Sequence, residues 1–222
     1  MGINLGNLEP APPIQQTAPV VDVTKQEGVQ AVDKGNGQIT LNLAKSVKLD
    51  LSKAAPSLTR AIVGLGWDPI CAGKIDLDVF ALLLHNGKIL DTSDIIFFNQ
   101  KDTGKSVTLN KDNRDGQGEG DDEQIRVDLS KVPADITSIA FFVNIYEAEK
   151  NSQNFGMVKN SYIRLVNEDT NKEEAIYILN EEGGLYTAFH FANLVRENGN
   201  WHFETVGKGM HGDVQVIANM FS

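Results

Sequence analysis

An all-β fold, an antiparallel β-sandwich of about ten strands, is predicted by three observations. Short stretches alternate apolar and polar residues with a period of two, the signature of a half-buried strand. Asn86-Gly87 and Asn198-Gly199 stand between such stretches, and Asn-Gly adopts the positive φ angles of a type I′ hairpin turn. The segments recur every 8–15 residues or so, with turn residues between them and little helical periodicity.

Taken in order, residues 1–37 read as a tail. They hold Pro10, Pro12, Pro13 and Pro19 and no aromatic residue. Such a stretch buries too little apolar surface to offset chain entropy, so a disordered tail or linker is expected. Val20-Val21-Asp22-Val23 is its candidate edge strand. A domain over 38–222 follows. Ile39 to Lys45 and Val47 to Lys53 repeat one alternating pattern and read as two adjacent strands. Thr59 to Asp68 is a strand ending in the glycine-flanked Trp67. Ile75 to Leu84 is longer, His85-Asn86-Gly87-Lys88 is its hairpin turn, and Ile95 to Asn99 is a short apolar strand. Beyond an acidic loop, Gln124 to Leu129 alternates again. Ser138 to Tyr146, Val158 to Val166 and Ala175 to Leu179 read as strands. Ala188 to Val195 could be helical, but strand is preferred, because a short Asn-Gly turn joins it to the alternating Trp201, Phe203 and Thr205. Gly212 to Met220 could close the chain as a short helix.

Composition narrows the function. The 222 residues carry a formal net charge of −10, so no basic stripe is available to displace counterions from nucleic acid. Cys71 is the single cysteine, which excludes an intrachain disulfide and agrees with a reducing compartment. The N-terminus lacks a secretory signal and a myristoylation pattern, and no apolar run approaches the roughly 20 residues of a membrane helix. A cytoplasmic protein without direct membrane insertion is expected.

Charge is concentrated. Asp112 to Glu123 holds six carboxylates, one arginine and three glycines, a net −5, and Gly66 to Asp78 nets −2. An acidic run is ordinarily a solvated surface. Glycines threaded through it suggest a backbone that turns tightly and brings oxygens to one point, as Ca²⁺ requires with its roughly 6–8 oxygen ligands. Asp76 and Asp78, two apart on a strand, share one face, and Asp68 lies within hairpin reach. Carboxylates so placed repel unless a cation lies between them. A sandwich gathers such loops at one end.

Other chemistries match less well. An EF-hand starting at Asp115 would have Arg126 at its twelfth position and no flanking helices. The histidines His85, His190, His202 and His211 show no zinc spacing. No P-loop, dinucleotide fingerprint or Ser–His–Asp arrangement is legible. Paired carboxylates could serve a glycosidase, but their setting among other carboxylates suits a metal better.

Val63-Gly64-Leu65-Gly66-Trp67-Asp68, Ile75-Asp76-Leu77-Asp78, Asp112-Asn113-Arg114, Gly116 to Glu123 and Val127 to Pro133 together resemble the tellurite-resistance TerD family of bacterial stress proteins. Gln153-Asn154-Phe155-Gly156, Tyr162 to Val166 and Asn200 to Phe203 are similar to the same family, so the resemblance runs from about Gln38 to Val206. It implies a cytosolic calcium-binding sandwich without established catalysis, partnered by other tellurite-resistance proteins, some at the inner membrane. By that resemblance, Asp68, Asp76, Asp78, Asp112, Asn113, Glu119, Asp121, Asp122 and Glu123 would be the calcium ligands. Cys71 to Lys74 and His211-Gly212-Asp213 depart from the family pattern and touch none of them.

Three readings follow. The first is a non-enzymatic module binding one or two Ca²⁺ ions. The second is a metal-dependent enzyme on phosphate- or sugar-bearing substrates, using the same carboxylates. The third is an adaptor in which Ca²⁺ bridges to a partner or a membrane surface. On the first and third, Asp112 to Glu123 is expected to order over Asp76 and Asp78 when the ion binds.

Overall fold

The computed structural model describes residues 22–35, 37–69, 75–111, 120–179 and 184–222. The chain is mostly β, with thirteen strands among the described residues. In chain order these are β1 (Val29–Asp33), β2 (Ile39–Leu43), β3 (Lys48–Asp50), β4 (Arg60–Pro69), β5 (Leu77–Leu84), β6 (Ile95–Ile96), β7 (Val107–Lys111), β8 (Glu123–Asp128), β9 (Ser138–Ile145), β10 (Val158–Asn167), β11 (Lys172–Ile178), β12 (Ala188–Glu197) and β13 (Asn200–Met210). Two short helices, α1 (Leu51–Ala54) and α2 (Val214–Asn219), complete it. Among the described residues, no helix is long and apolar enough to cross a membrane.

The strands form two sheets. Sheet A runs β1-β2-β11-β10-β4-β8-β7, and sheet B runs β3-β13-β12-β9-β5-β6. Their neighbours are antiparallel except β2 and β11, which pair in parallel from Leu41↔Ala175 to Leu43↔Tyr177. The expected all-antiparallel arrangement is corrected at that point. One hydrophobic core takes residues from both sheets: Val63, Leu65 and Trp67 of β4 with Ile125 and Val127 of β8, and Val79 and Leu83 of β5 with Phe141 of β9 and Phe203 of β13. Sheet B is covered on its other face too. Phe80, Leu82 and Leu84 of β5 and Phe142 of β9 pack there against Ile217 and Ala218 of α2, with Phe80 and Phe142 stacked at 5.1 Å between ring centroids. Burial on both faces explains why β5 is apolar almost without interruption.

Several elements depart from the sequence expectation for identifiable reasons. Val20 and Val21 lie outside the described residues, and Val23–Lys25 is a 3₁₀ turn, capped by Asp22, that contributes no strand. The strand β1 nevertheless falls within residues 1–37: it pairs with β2 along its whole length and buries Val29. The two alternating units at 39–53 enter different sheets, because Ser46 turns the chain at a φ of +62°. Asp50 then caps Ser52 and converts the end of the second unit into α1. The apolar run Ile95 to Asn99 pairs only at Ile95 and Ile96, since Phe97 and Gln100 close a turn on each other. The strand β7, unforeseen, lines the edge of sheet A. Both Asn-Gly turns are as expected, with Asn86 and Gly87 at φ +54° and +87° and Asn198 and Gly199 at +50° and +81°.

Candidate metal site

The end of β4, the beginning of β5, the end of β7 and the beginning of β8 meet at one end of the two sheets, because β4 pairs antiparallel with β8 and β8 with β7. Most of the sequence-predicted ligands are carried there. Asp112, Asn113 and Glu119 lie outside the described residues; the other six have definite places.

Three consecutive acids, Asp121, Asp122 and Glu123, are all buried and diverge. In an unbroken strand Asp121 and Glu123 would share a face. Gly120 at φ +87° and a bend at Asp122 break that alternation just before β8 begins. Asp121 turns to the outer face of sheet A. There Arg164 Nε donates to its Oδ1 at 2.7 Å, the Tyr162 hydroxyl at 3.1 Å, and Gln124 Nε2 donates to Oδ2 at 2.9 Å. Asp122 continues the ladder of β4: its N–H donates to Leu65 O at 2.8 Å, and its carboxylate accepts from Trp67 N–H at 3.1 Å. Glu123 points inward and accepts from the Val79 N–H of β5, at 2.5 Å. Since β6 pairs with β5 only at Ala81 and Leu82, a carboxylate from the opposite sheet serves that N–H in place of a strand neighbour.

This geometry explains Gly64 and Gly66. Both are on the outer face of β4, and a Cβ at Gly64 would stand 2.2 Å from Asp121 Oδ2, while one at Gly66 would stand 2.4 Å from the Tyr162 ring. The glycines are the floor on which the carboxylate and the phenol lie. Arg164 completes the cluster by reaching Glu173 at 3.1 Å. Burial works against its charge, but Asp121 and Glu173 outweigh burial and hold its pKa above the ordinary value. Burial, and then the Asp121 charge, push the Tyr162 phenol up as well, so it stays protonated and donates. Burial would raise Glu173, but Arg164, Lys34 and Thr40 hold it below the usual carboxylate range.

Asp76 and Asp78 occupy the outer face of sheet B. Tyr146 N–H donates to Asp76 O at 2.8 Å, so the β5–β9 ladder extends to Asp76, and period two puts its side chain on the face of Asp78. Leu77 and Val79 point the opposite way into the core, as expected. Asp68, exposed on the outer face of β4, accepts from Asn160 Nδ2 at 2.7 Å. The six described candidates thus divide: Asp68 and Asp121 lie on the outside of sheet A, Asp76 and Asp78 on the outside of sheet B, and Asp122 and Glu123 are engaged with backbone N–H groups of β4 and β5. Among the described residues, no three His, Cys, Asp or Glu side chains converge in a way that could hold a metal ion.

Arg164, Tyr162 and Asn144, the cross-strand neighbour of Asp78, were not singled out from sequence. Tyr162 and Arg164 sit two apart on β10, opposite Gly66 and Gly64. Two glycines facing a Tyr-x-Arg across a strand pair is the signal that could have marked them.

The TerD domain family model matches residues 39–221. General stress protein 16U of Bacillus subtilis (strain 168) is 44% identical over 185 residues, covering 81% of this chain and 96% of the relative. Tellurium resistance protein TerD of Serratia marcescens is 41% identical over 187 residues, covering 82% and 97%. Among solved structures, a homologue of telluride resistance protein (TerD) from Streptomyces coelicolor A3(2) superposes with a TM-score of 0.62 at 22% identity, over 75% of this chain and 99% of that one; it supports the fold alone. Matched over nearly all of the region that carries the two sheets and their acidic end, this chain belongs to the TerD family.

Proposed function

We propose that this chain is a non-enzymatic, Ca²⁺-binding stress-response protein of the tellurium-resistance type, a β-sandwich acting in the cytoplasm as a Ca²⁺-dependent interaction module with other tellurium-resistance proteins. The observation that carries the reading is the Glu123–Val79 hydrogen bond. It ties the start of β8 to the start of β5, close to Asp76 and Asp78. The donors available there are carboxylates and an amide, hard oxygens of the kind Ca²⁺ selects over soft metals. Asp76 and Asp78, with Asp112, Asn113 and Glu119, would supply the ligands. Asp121 is engaged with Arg164 and serves as a support, and Asp122 and Glu123 hold backbone.

Ca²⁺ titration by calorimetry and by thermal unfolding tests this. Saturation at about 100 times Kd should add about 2.7 kcal/mol, a rise in Tm of about 5–10 °C for a chain of this length. Asp76→Asn combined with Asp78→Asn should abolish both the heat and the rise. Absence of both in the unmodified protein at millimolar Ca²⁺ would overturn the reading.

A further inference from the structure

On the outer face of sheet B lies a cavity of about 740 Å³, bounded by the turn after β6, the end of β9 and the approach to α2. Its floor is the cross-strand pair Asp78 and Asn144. Asn144 is 4% exposed, yet its Oδ1 has no hydrogen-bond partner among the described residues. Burying such a group unpaired is unfavourable, and a ligand donor reaching the cavity floor would remove that cost. The walls are aromatic: Phe97, Phe98 and Tyr146 line them, with Phe98 and Tyr146 edge to face at 6.0 Å. Four lining carboxylates, Asp78, Glu147, Glu149 and Asp213, stand against one ammonium, Lys150, which is itself paired with Glu147 at 2.7 Å.

We propose that this cavity binds an organic cation, a primary ammonium or guanidinium group carried on an aliphatic stem. The negative rim draws the cation in. Asn144 Oδ1 and the Asp78 carboxylate accept its N–H groups at the floor. Phe97, Phe98 and Tyr146 cover the stem and offer ring faces to the charge. An anion would meet the carboxylates, and a purely apolar ligand would leave Asn144 unpaired. The proposal goes beyond the calcium reading and shares only Asp78 with it.

Two sources carry this chemistry: a free polyamine, or a Lys or Arg side chain of a partner protein. The test titrates spermidine and, separately, N-acetyl-arginine methylamide into the full chain, first in EDTA and then in Ca²⁺, following backbone and Asn side-chain amides by two-dimensional NMR. Saturable shifts at Asn144, Phe98 and Tyr146 in EDTA are expected, and the tighter of the two probes identifies the source. Asn144→Val should weaken binding about tenfold, the loss of one hydrogen bond to a charged group. Glu149→Lys, an exposed change that leaves the floor intact, should weaken it several-fold. The proposal is overturned if neither probe saturates, or if both variants bind as the unmodified chain does, since the cation is then held by diffuse charge elsewhere. Loss of Ca²⁺ binding with cation binding retained in EDTA would sink the calcium reading and leave this one standing.

Discussion

Gly64→Ala adds one methyl group, and its consequence can be worked from the structure. The new Cβ would stand 2.2 Å from Asp121 Oδ2, 2.4 Å from its Cγ and 2.6 Å from Oδ1. All three atoms belong to one carboxylate, so turning it about Cβ–Cγ does not relieve the clash; the whole group must swing off the face of β4. It would abandon Arg164 Nε, Tyr162 Oη and Gln124 Nε2 together. Breaking a fully buried ion pair costs about 3–5 kcal/mol. The Arg164 side chain is 28% exposed and keeps Glu173, which reduces the cost to about 2–3 kcal/mol. Alanine in a strand recovers about 0.5–1 kcal/mol relative to glycine. The net expectation is a loss of about 2 kcal/mol, or a Tm lower by about 4–8 °C. Urea unfolding of Gly64→Ala, Asp121→Ala and the double variant closes a cycle. With Asp121 truncated, alanine at 64 has nothing to displace and should be neutral or mildly stabilising, giving a coupling of about 2 kcal/mol. An equal cost in both backgrounds would refute the packing argument.

Two further outcomes are expected. Glu123→Gln keeps an acceptor for Val79 N–H but removes the charge, so stability should fall by about 1–2 kcal/mol and exchange of the Val79 amide should accelerate; unchanged protection there would show that the inter-sheet clasp is not held by the carboxylate. His190 is half-buried and stacks on Phe142 at 4.3 Å, and its partial burial depresses its pKa below the ordinary value of 6.5, in spite of its contact with Asn193 and the nearby Glu204. The unfolded chain therefore binds this proton more readily than the folded one. The associated stability is fully present above about pH 6.5 and declines as pH falls below it, with a slope of at most about 1.4 kcal/mol per pH unit. Thermal unfolding of His190→Gln between pH 7 and 5 should show a shallower decline, and an unaltered slope would exonerate the histidine.

Much of the fold was legible because its strands obey local rules. The Leu77/Val79 and Asp76/Asp78 faces follow from period two alone, and the β12–β13 hairpin follows from Asn198-Gly199. The second sheet assignment was not legible. Whether 47–53 continues beside 39–45 depends on Thr205, some 160 residues away, whose hydroxyl donates to Ala44 O at 2.6 Å and accepts from Val47 N–H at 2.9 Å. The strand β7 escaped because Val107-Thr108-Leu109 is short and, among the described residues, its only strand partner is β8. At the site, sequence located the acidic end but could not separate carboxylates with different tasks. The neighbour that occupies Asp121 is Arg164, and the group that occupies Glu123 is the Val79 amide. Both are distant in sequence, and neither contact leaves a mark on the acidic run itself.

The order of the strands also bears on how the chain reaches this state. Apart from the local β1–β2 pair, the early strands β2 and β3 find their sheet neighbours in β11 and β13, and Thr205 of β13 fastens the turn that separates them. Loop closure over so many residues is slow relative to local pairing. During vectorial synthesis, the apolar faces of Leu41, Leu43 and Leu49 therefore wait uncovered while more than a hundred residues follow them. The β12–β13 hairpin, some 150 residues downstream, supplies the neighbour of β3, which leaves the nascent chain open to chaperone capture, or to aggregation, until that hairpin has emerged.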